Sequence, residues 1–151
     1  PFRNLYRSAG VMHVFALAST VTVARLEAQF GAWAVADPAL EYGIRALGDI
    51  TWLAAMRRRL AQDAARLDGL FARFGAAVAG GTTLFRYLSL PGAADLFSAL
   101  GARGILLRHF ADRPHVLRAG LPGEETEWQR LEAALADWAS LRNDQAEEPN
   151  P

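Results

Sequence analysis

Arg108 and Arg118 are the side chains whose surroundings in this 151-residue sequence most invite chemistry. Arg108 closes the apolar run Gly104-Ile105-Leu106-Leu107, and Arg118 interrupts a second one, Leu117-Arg118-Ala119-Gly120-Leu121. A guanidinium in such a strand-like run is costly to desolvate by itself, and a carboxylate or phosphate gripped by two parallel N–H donors is its natural partner. That partner is either a bound anion or an internal carboxylate, Asp112 or Glu127. A four-residue turn between the two strands puts residue 108 opposite 117, so a bulge is needed before both arginines share a face.

The remaining inventory is mostly exclusions. All sixteen basic residues are arginine, so the chain holds no lysine amine for Schiff-base chemistry. It has no cysteine, which removes disulfides, thiolate nucleophiles and cysteine-ligated metals. His13, His109 and His115 are too widely spaced for a local metal motif. His109 and His115 fall on adjacent expected strands and read as structural. No G-x-S-x-G elbow is present. Gly80-Gly81-Thr82-Thr83 lacks the lysine and the strand–loop–helix setting of a phosphate loop, and reads as a hairpin turn. Arg57-Arg58-Arg59 reads as a solvated helix face paired with acids such as Asp63. Sixteen acidic residues balance the sixteen basic ones, which argues against a nucleic-acid or anionic-membrane partner. The apolar stretch Val11–Thr22 is too short to span a bilayer and makes a poor signal peptide. Absence of cysteine fits a cytoplasmic location.

The elements that must position these residues follow from periodicity and punctuation. Val14–Ala18 reads as a short buried strand. Val21–Phe30 reads as a helix stopped by Gly31, and Asp37-Pro38 as the cap and first residue of a helix running to about Leu47. Asp49 caps the clearest helix, where Leu53, Met56, Leu60, Ala64, Leu67, Phe71 and Phe74 recur every three or four residues before Gly75. Thr82–Leu90 alternates Leu84, Arg86 and Leu88 against Phe85, Tyr87 and Ser89, a strand pattern. A short helix follows Pro91-Gly92, with Ala93, Leu96, Phe97 and Leu100 on one face. Ile105–Phe110 and His115–Ala119 read as strands around Ala111-Asp112-Arg113-Pro114. The last helix carries Trp128, Leu131, Leu135 and Trp138 on its buried stripe, with Glu124, Glu125 and Glu127 in its first turn. Residues from Arg142 onward read as disordered. The sum is an α+β layer: a small, mainly antiparallel sheet covered by helices.

The strings "GAWAVADPALEYGIRALGD", "GGTTLFRYLSL", "GILLRHF" and "HVLRAGLPGEETEWQRLEAAL", in that order, resemble the C-terminal part of the threonine-phosphate decarboxylases of cobalamin biosynthesis. Those enzymes are relatives of histidinol-phosphate aminotransferase among the fold-type I pyridoxal-phosphate enzymes. The resemblance runs from about Phe2 to Leu141 and implies three parts. Residues 1–31 would be the end of a large domain with its linker helix, 32–142 the small C-terminal domain that closes over the active site, and 143–151 a disordered tail. It implies further that Arg118 matches the arginine gripping the substrate α-carboxylate, and that Arg108 matches a neighbour contacting carboxylate or phosphate. In the intact family the reaction is loss of CO2 from threonine phosphate, and members are commonly homodimers.

The departures from the family concern the cofactor. In "PFRNLYRSAGVMHVFALA", Phe2, Tyr6, Ala9-Gly10 and Phe15 keep the pattern. Asn4 stands where the family's Schiff-base lysine belongs and Met12 where its phosphate-binding arginine belongs. Asparagine forms no aldimine and methionine offers a phosphate no charge. The expectation is a chain that does not bind pyridoxal phosphate or catalyse alone, explained by a truncated or frame-shifted product. Two further readings stand beside it: a non-catalytic anion-binding or partner-interaction module, and an α+β domain without a present role. A domain face left without its partner should favour self-association.

Overall fold

The computed structural model describes residues 16–31 and 35–147, with side chains as far as Arg142. Asn4, Met12, His13 and Trp33 lie outside the described residues, as do Val14 and Phe15 of the expected first strand. Ala16, Leu17 and Ala18, the described part of that strand, are neither strand nor helix, and Leu17 is 99% exposed. In its described part, Ala16–Ala18, the expected buried strand is not formed.

The chain divides into two compact units, Pro1–Met56 and Arg57–Pro151. The first contains α1 (Thr20–Phe30) and α2 (Asp37–Gly48). The Ser19 hydroxyl accepts the Thr22 N–H at the start of α1, and Gly31 at φ +71° ends it. Pro38 sits at the head of α2 as expected, but the cap position belongs to Ala36. Asp37 is one step inside, where its charge suits the helix dipole without capping a backbone group. No described residue of α1 is buried, and in α2 Gly43 is the buried residue.

Helix α3 (Ile50–Ala72) starts as its sequence implies: the Asp49 carboxylate accepts the Trp52 N–H at 2.8 Å. Beyond Gly75, at φ +78°, come β1 (Ala77–Thr82), β2 (Phe85–Ser89), α4 (Ala93–Ala102), β3 (Arg108–His109), β4 (Val116–Gly120) and α5 (Glu125–Glu147). The four strands form one sheet in the order β1-β2-β4-β3, every neighbouring pair antiparallel. The fold class is α+β. Leu88, Leu117 and Ala119 point from the sheet into a core with Leu67 and Phe71 of α3, Leu96 and Leu100 of α4, and Trp128, Leu131, Leu135 and Trp138 of α5. From Ala64 onward the apolar stripes expected of α3, α4 and α5 are buried except at Phe74 and Phe97, which are partly buried against the core. Burying side chains of this size stabilises by about 1.5–3 kcal/mol each, relative to leaving them in water.

Ion pairs fix the helices around this core. Arg66 of α3 grips Glu125 of α5 through two bonds of 2.7 Å and lies 4.3 Å over the Trp128 ring. Arg86 of β2 grips the half-buried Asp68 of α3 at 2.6 and 2.7 Å. Arg59 of the arginine triplet reaches Asp63 at 3.4 Å and the Gly123 carbonyl at 2.6 Å, the structural use expected of it.

Three expectations about element ends are corrected. Gly80-Gly81 is not the hairpin turn: both pair within β1, just past a bulge between Val78 and Gly80, and Thr83-Leu84 makes the turn, its Leu84 N–H held by the Thr82 hydroxyl at 3.1 Å. Strand β3 is two residues long instead of six. The Ile105 N–H is used by the Leu100 carbonyl at the end of α4, and the Phe110 carbonyl by the Arg113 N–H, so little backbone is left to pair. The last helix does not stop near Leu141 but continues to Glu147, into the segment expected to lack structure. Among the described residues no helix is long and apolar enough to cross a membrane.

Candidate functional site

The sheet has one face in the core and one face open, and Arg108 and Arg118 are both on the open one. Strand pairing puts Arg108 directly opposite Arg118, and His109 opposite Leu117. The expected register, 108 opposite 117, is therefore off by one. Two consecutive turns, closed by Arg113 N–H to the Phe110 carbonyl and Val116 N–H to the Arg113 carbonyl, put an odd number of residues between His109 and Leu117. An even turn would have sent the arginines to opposite faces; the odd one brings them side by side without a bulge.

The pair belongs to a row that crosses the whole sheet. Gly80 of β1 is opposite Tyr87 of β2, Tyr87 opposite Arg118 of β4, and Arg118 opposite Arg108 of β3. Directly opposed residues in an antiparallel sheet hold their Cβ atoms about 4.5–5.5 Å apart. The row therefore lines up a phenol and two guanidiniums, with no side chain at its Gly80 end.

Aromatic rings flank the row. The Arg118 guanidinium lies 5.1 Å from the Phe85 ring centre, and that of Arg108 lies 5.4 Å from Phe110. Phe110 meets Tyr87 edge to face at 5.6 Å. From the β3–β4 loop, Arg113 reaches across β4 and its Nη1 donates to the Tyr87 hydroxyl at 2.9 Å. That bond, ahead of the charge of Asp112, holds the Arg113 guanidinium above the ordinary arginine range, so it is cationic at any working pH.

Neither Arg108 nor Arg118 is in an ion pair among the described residues, whereas Arg66, Arg73, Arg86 and Arg103 each reach a carboxylate. Of the two internal partners the sequence offered, Asp112 lies 3.6 Å from Arg113. Glu127 accepts the backbone N–H groups of Gly123 and Glu124 at the head of α5. Like charges facing one another across two strands are destabilising, and cation–π contacts offset that only in part. An anion lying along the row would remove the repulsion, and its oxygens would take up unused N–H donors.

A cleft of about 270 Å³ opens beside the site between residues 104–107 and 119–122. Its polar lining is already engaged: Glu127 as described, and Arg130 donating to the Arg103 carbonyl. Neither Arg108 nor Arg118 lines it, so the cleft and the arginine row are separate features. His109 points the other way, onto the core side, with its ring 5.7 Å from Phe97, and His115 is exposed in the loop. The two histidines do not meet, and no group of three or more metal-ligating side chains exists among the described residues.

Tyr87, Phe110 and Arg113 were not picked out from sequence. The alternation Phe85/Tyr87/Ser89 was the available signal for Tyr87, since it places that ring on the face away from Leu88. The reach of Arg113 across β4 has no sequence signal.

No family model matches the chain. Over 134 residues it is 39% identical to a threonine-phosphate decarboxylase of Pseudomonas aeruginosa, covering 89% of this chain and 40% of that protein. It is 36% identical over 138 residues to a protein of the same name from Sinorhizobium sp, with the same two shares. The chain thus spans 40% of the length of these curated relatives. These two alignments relate it, over 89% of its residues, to part of the threonine-phosphate decarboxylases.

Proposed function

We propose that residues 32–142 correspond to the small domain of a threonine-phosphate decarboxylase, and that Arg118, assisted by Arg108, grips an anionic group of the amino-acid phosphate substrate. The observation that carries this reading is the cross-strand pair itself: two like charges held face to face on an open sheet, with no carboxylate between them among the described residues. Bidentate guanidinium contacts to carboxylate or phosphate are strong and directional, which suits a residue that must orient a substrate. In the relatives' class of reaction, pyridoxal phosphate supplies the electron sink for loss of CO2. The residues of this chain do not fit covalent attachment of that group, because none of the 151 is a lysine. What the chain contributes is binding and orientation, and by itself it is inactive.

A second reading keeps the site and drops the catalysis: an anion-binding or partner-interaction module. The absence of lysine is what favours it. Isothermal titration of the chain with threonine phosphate tests the shared claim. Binding is expected, with at least a tenfold loss in Arg118→Ala. Unchanged affinity in that variant rules out the assignment of Arg118. Addition of pyridoxal phosphate should produce no aldimine absorbance band, and a band would overturn the claim of inactivity.

A further inference from the structure

The two edges of the sheet differ in what they present to a neighbour. An edge strand offers unpaired N–H and C=O groups that another strand can take up, and natural sheets guard against this with short or charged edges. Strand β3 is guarded in both ways: it is two residues long and carries Arg108. Strand β1 is guarded in neither. Its six residues, Ala77–Thr82, are all exposed, none is charged and none is proline. It pairs with β2 on one side, and among the described residues no strand lies on the other. At its far end the Thr82 carbonyl accepts from Arg86 Nη1 at 3.3 Å, so the open stretch is 77–81. The bulge between Val78 and Gly80 leaves Ala79 without a partner on β2. Gly80 and Gly81 bring no side chain to the edge, so a second backbone can approach closely.

We propose that β1 is an interface between two copies of this chain, which pair antiparallel along it, centred on Ala79, joining two four-stranded sheets into one of eight. An open backbone edge calls for a strand as its partner, and the side chains single out a second β1. Two identical antiparallel strands are related by a two-fold axis, so every contact between them is made twice. With Ala79 beside its own copy, Val78 stands opposite Gly80 and Ala77 opposite Gly81, so each side chain of the first half meets a glycine of the second. No like charges meet along β1, whereas β3 paired with itself would bring Arg108 close to a second Arg108. Growth stops at two copies, because both outer edges of the joined sheet are β3. The axis stands perpendicular to the sheet, which keeps the two open faces on one side and brings the Gly80 ends of the two arginine rows together. Pairing along so short an edge buries little surface, so the dimer is weak. It forms whatever the arginines bind.

The chain contains no cysteine, so a single introduced thiol reports on proximity without background. In the full chain, Ala79→Cys should be joined to its own copy by a thiol–thiol cross-linker spanning about 5 Å. Ala111→Cys, on the exposed β3–β4 loop, should not be joined. Cross-linking of both to the same extent would reflect random collision and overturn the pairing. Amide exchange of wild-type β1, followed across a concentration series, should slow about tenfold where the chain stands at about ten times the dimer Kd. Ala79→Lys sets two like charges at the axis and should abolish that dependence, and its thermal melt at low concentration separates loss of pairing from loss of the fold. Slow exchange at every concentration would mean that a segment of the same chain already covers β1; fast exchange at every concentration would mean that nothing does. Either result overturns the proposal. If polar substitutions at Phe30 and Ile44 abolish association while Ala79→Lys leaves it intact, the apolar helices carry it and β1 does not.

Discussion

In the proposed grip, Arg108 and Arg118 act as a unit because they occupy directly opposed positions on β3 and β4. Residues that hold one ligand together are energetically coupled, whereas residues serving separate ligands give additive effects. Threonine-phosphate binding should therefore be non-additive in Arg108→Ala, Arg118→Ala and the double variant, with a coupling energy of about 0.5–3 kcal/mol. Strictly additive losses in calorimetry would mean that the two guanidiniums grip different anions. Gly81 poses a different residue-scale question. Its φ is +147°, and a Cβ built there would lie 2.6 Å from the Phe85 carbonyl oxygen. Gly81→Ala should cost about 1–3 kcal/mol in urea unfolding, since neither the backbone angle nor the carbonyl can give way cheaply. An unchanged midpoint would show that the β1–β2 hairpin relaxes around the methyl group.

Among the elements, α3 and α5 are joined by the bidentate Arg66–Glu125 pair. The bond from Arg66 holds the Glu125 carboxyl below its ordinary value, and position in the first turn of α5 also suits a negative charge. A group with a depressed folded pKa contributes stability above its ordinary value, and that contribution is lost as pH falls through the folded one. Glu125→Gln should accordingly lower the melting temperature at about pH 7 and make little difference at about pH 2, where both states carry the proton. A gap between the two melts that persists in acid would place the effect in packing against Trp128 instead. The pair is solvent-exposed, so the effect is small.

At the scale of the whole molecule, the described helices of the 1–56 unit expose large apolar side chains. Val21 and Phe30 of α1, Ile44 and Leu47 of α2, and Ile50 at the head of α3 are each between 44% and 73% exposed. Amphipathic helices left so open favour association with another apolar surface. Sedimentation velocity should show a weight-average mass that rises with concentration, and substituting Phe30 and Ile44 by polar residues should reduce it. A single monomeric boundary at every concentration would contradict this.

The sequence by itself settled the matters that depend on neighbours in the chain. Periodicity marked α3, α4 and α5 and their buried stripes, because a helix face is read out of residues three and four apart. Local punctuation gave the Asp49 cap and the stops at Gly31 and Gly75. The apolar setting of Arg108 and Arg118 marked both as candidates for an anionic partner, bound or internal. Tertiary structure decided what depends on pairing. Whether the arginines face one another turned on the parity of a loop, and parity followed from two backbone hydrogen bonds at Arg113 that no residue type announces. Gly80-Gly81 reads as the turn from composition, whereas cross-strand pairing with Tyr87 and Arg86 keeps both glycines in β1 and moves the turn to Thr83-Leu84. Tyr87 joined the site because β2 lies beside β4 and not beside β3, a choice of strand order. Side-chain periods are local, whereas register and strand order are set by hydrogen bonds between segments distant in the chain, and the open face was built at that second level.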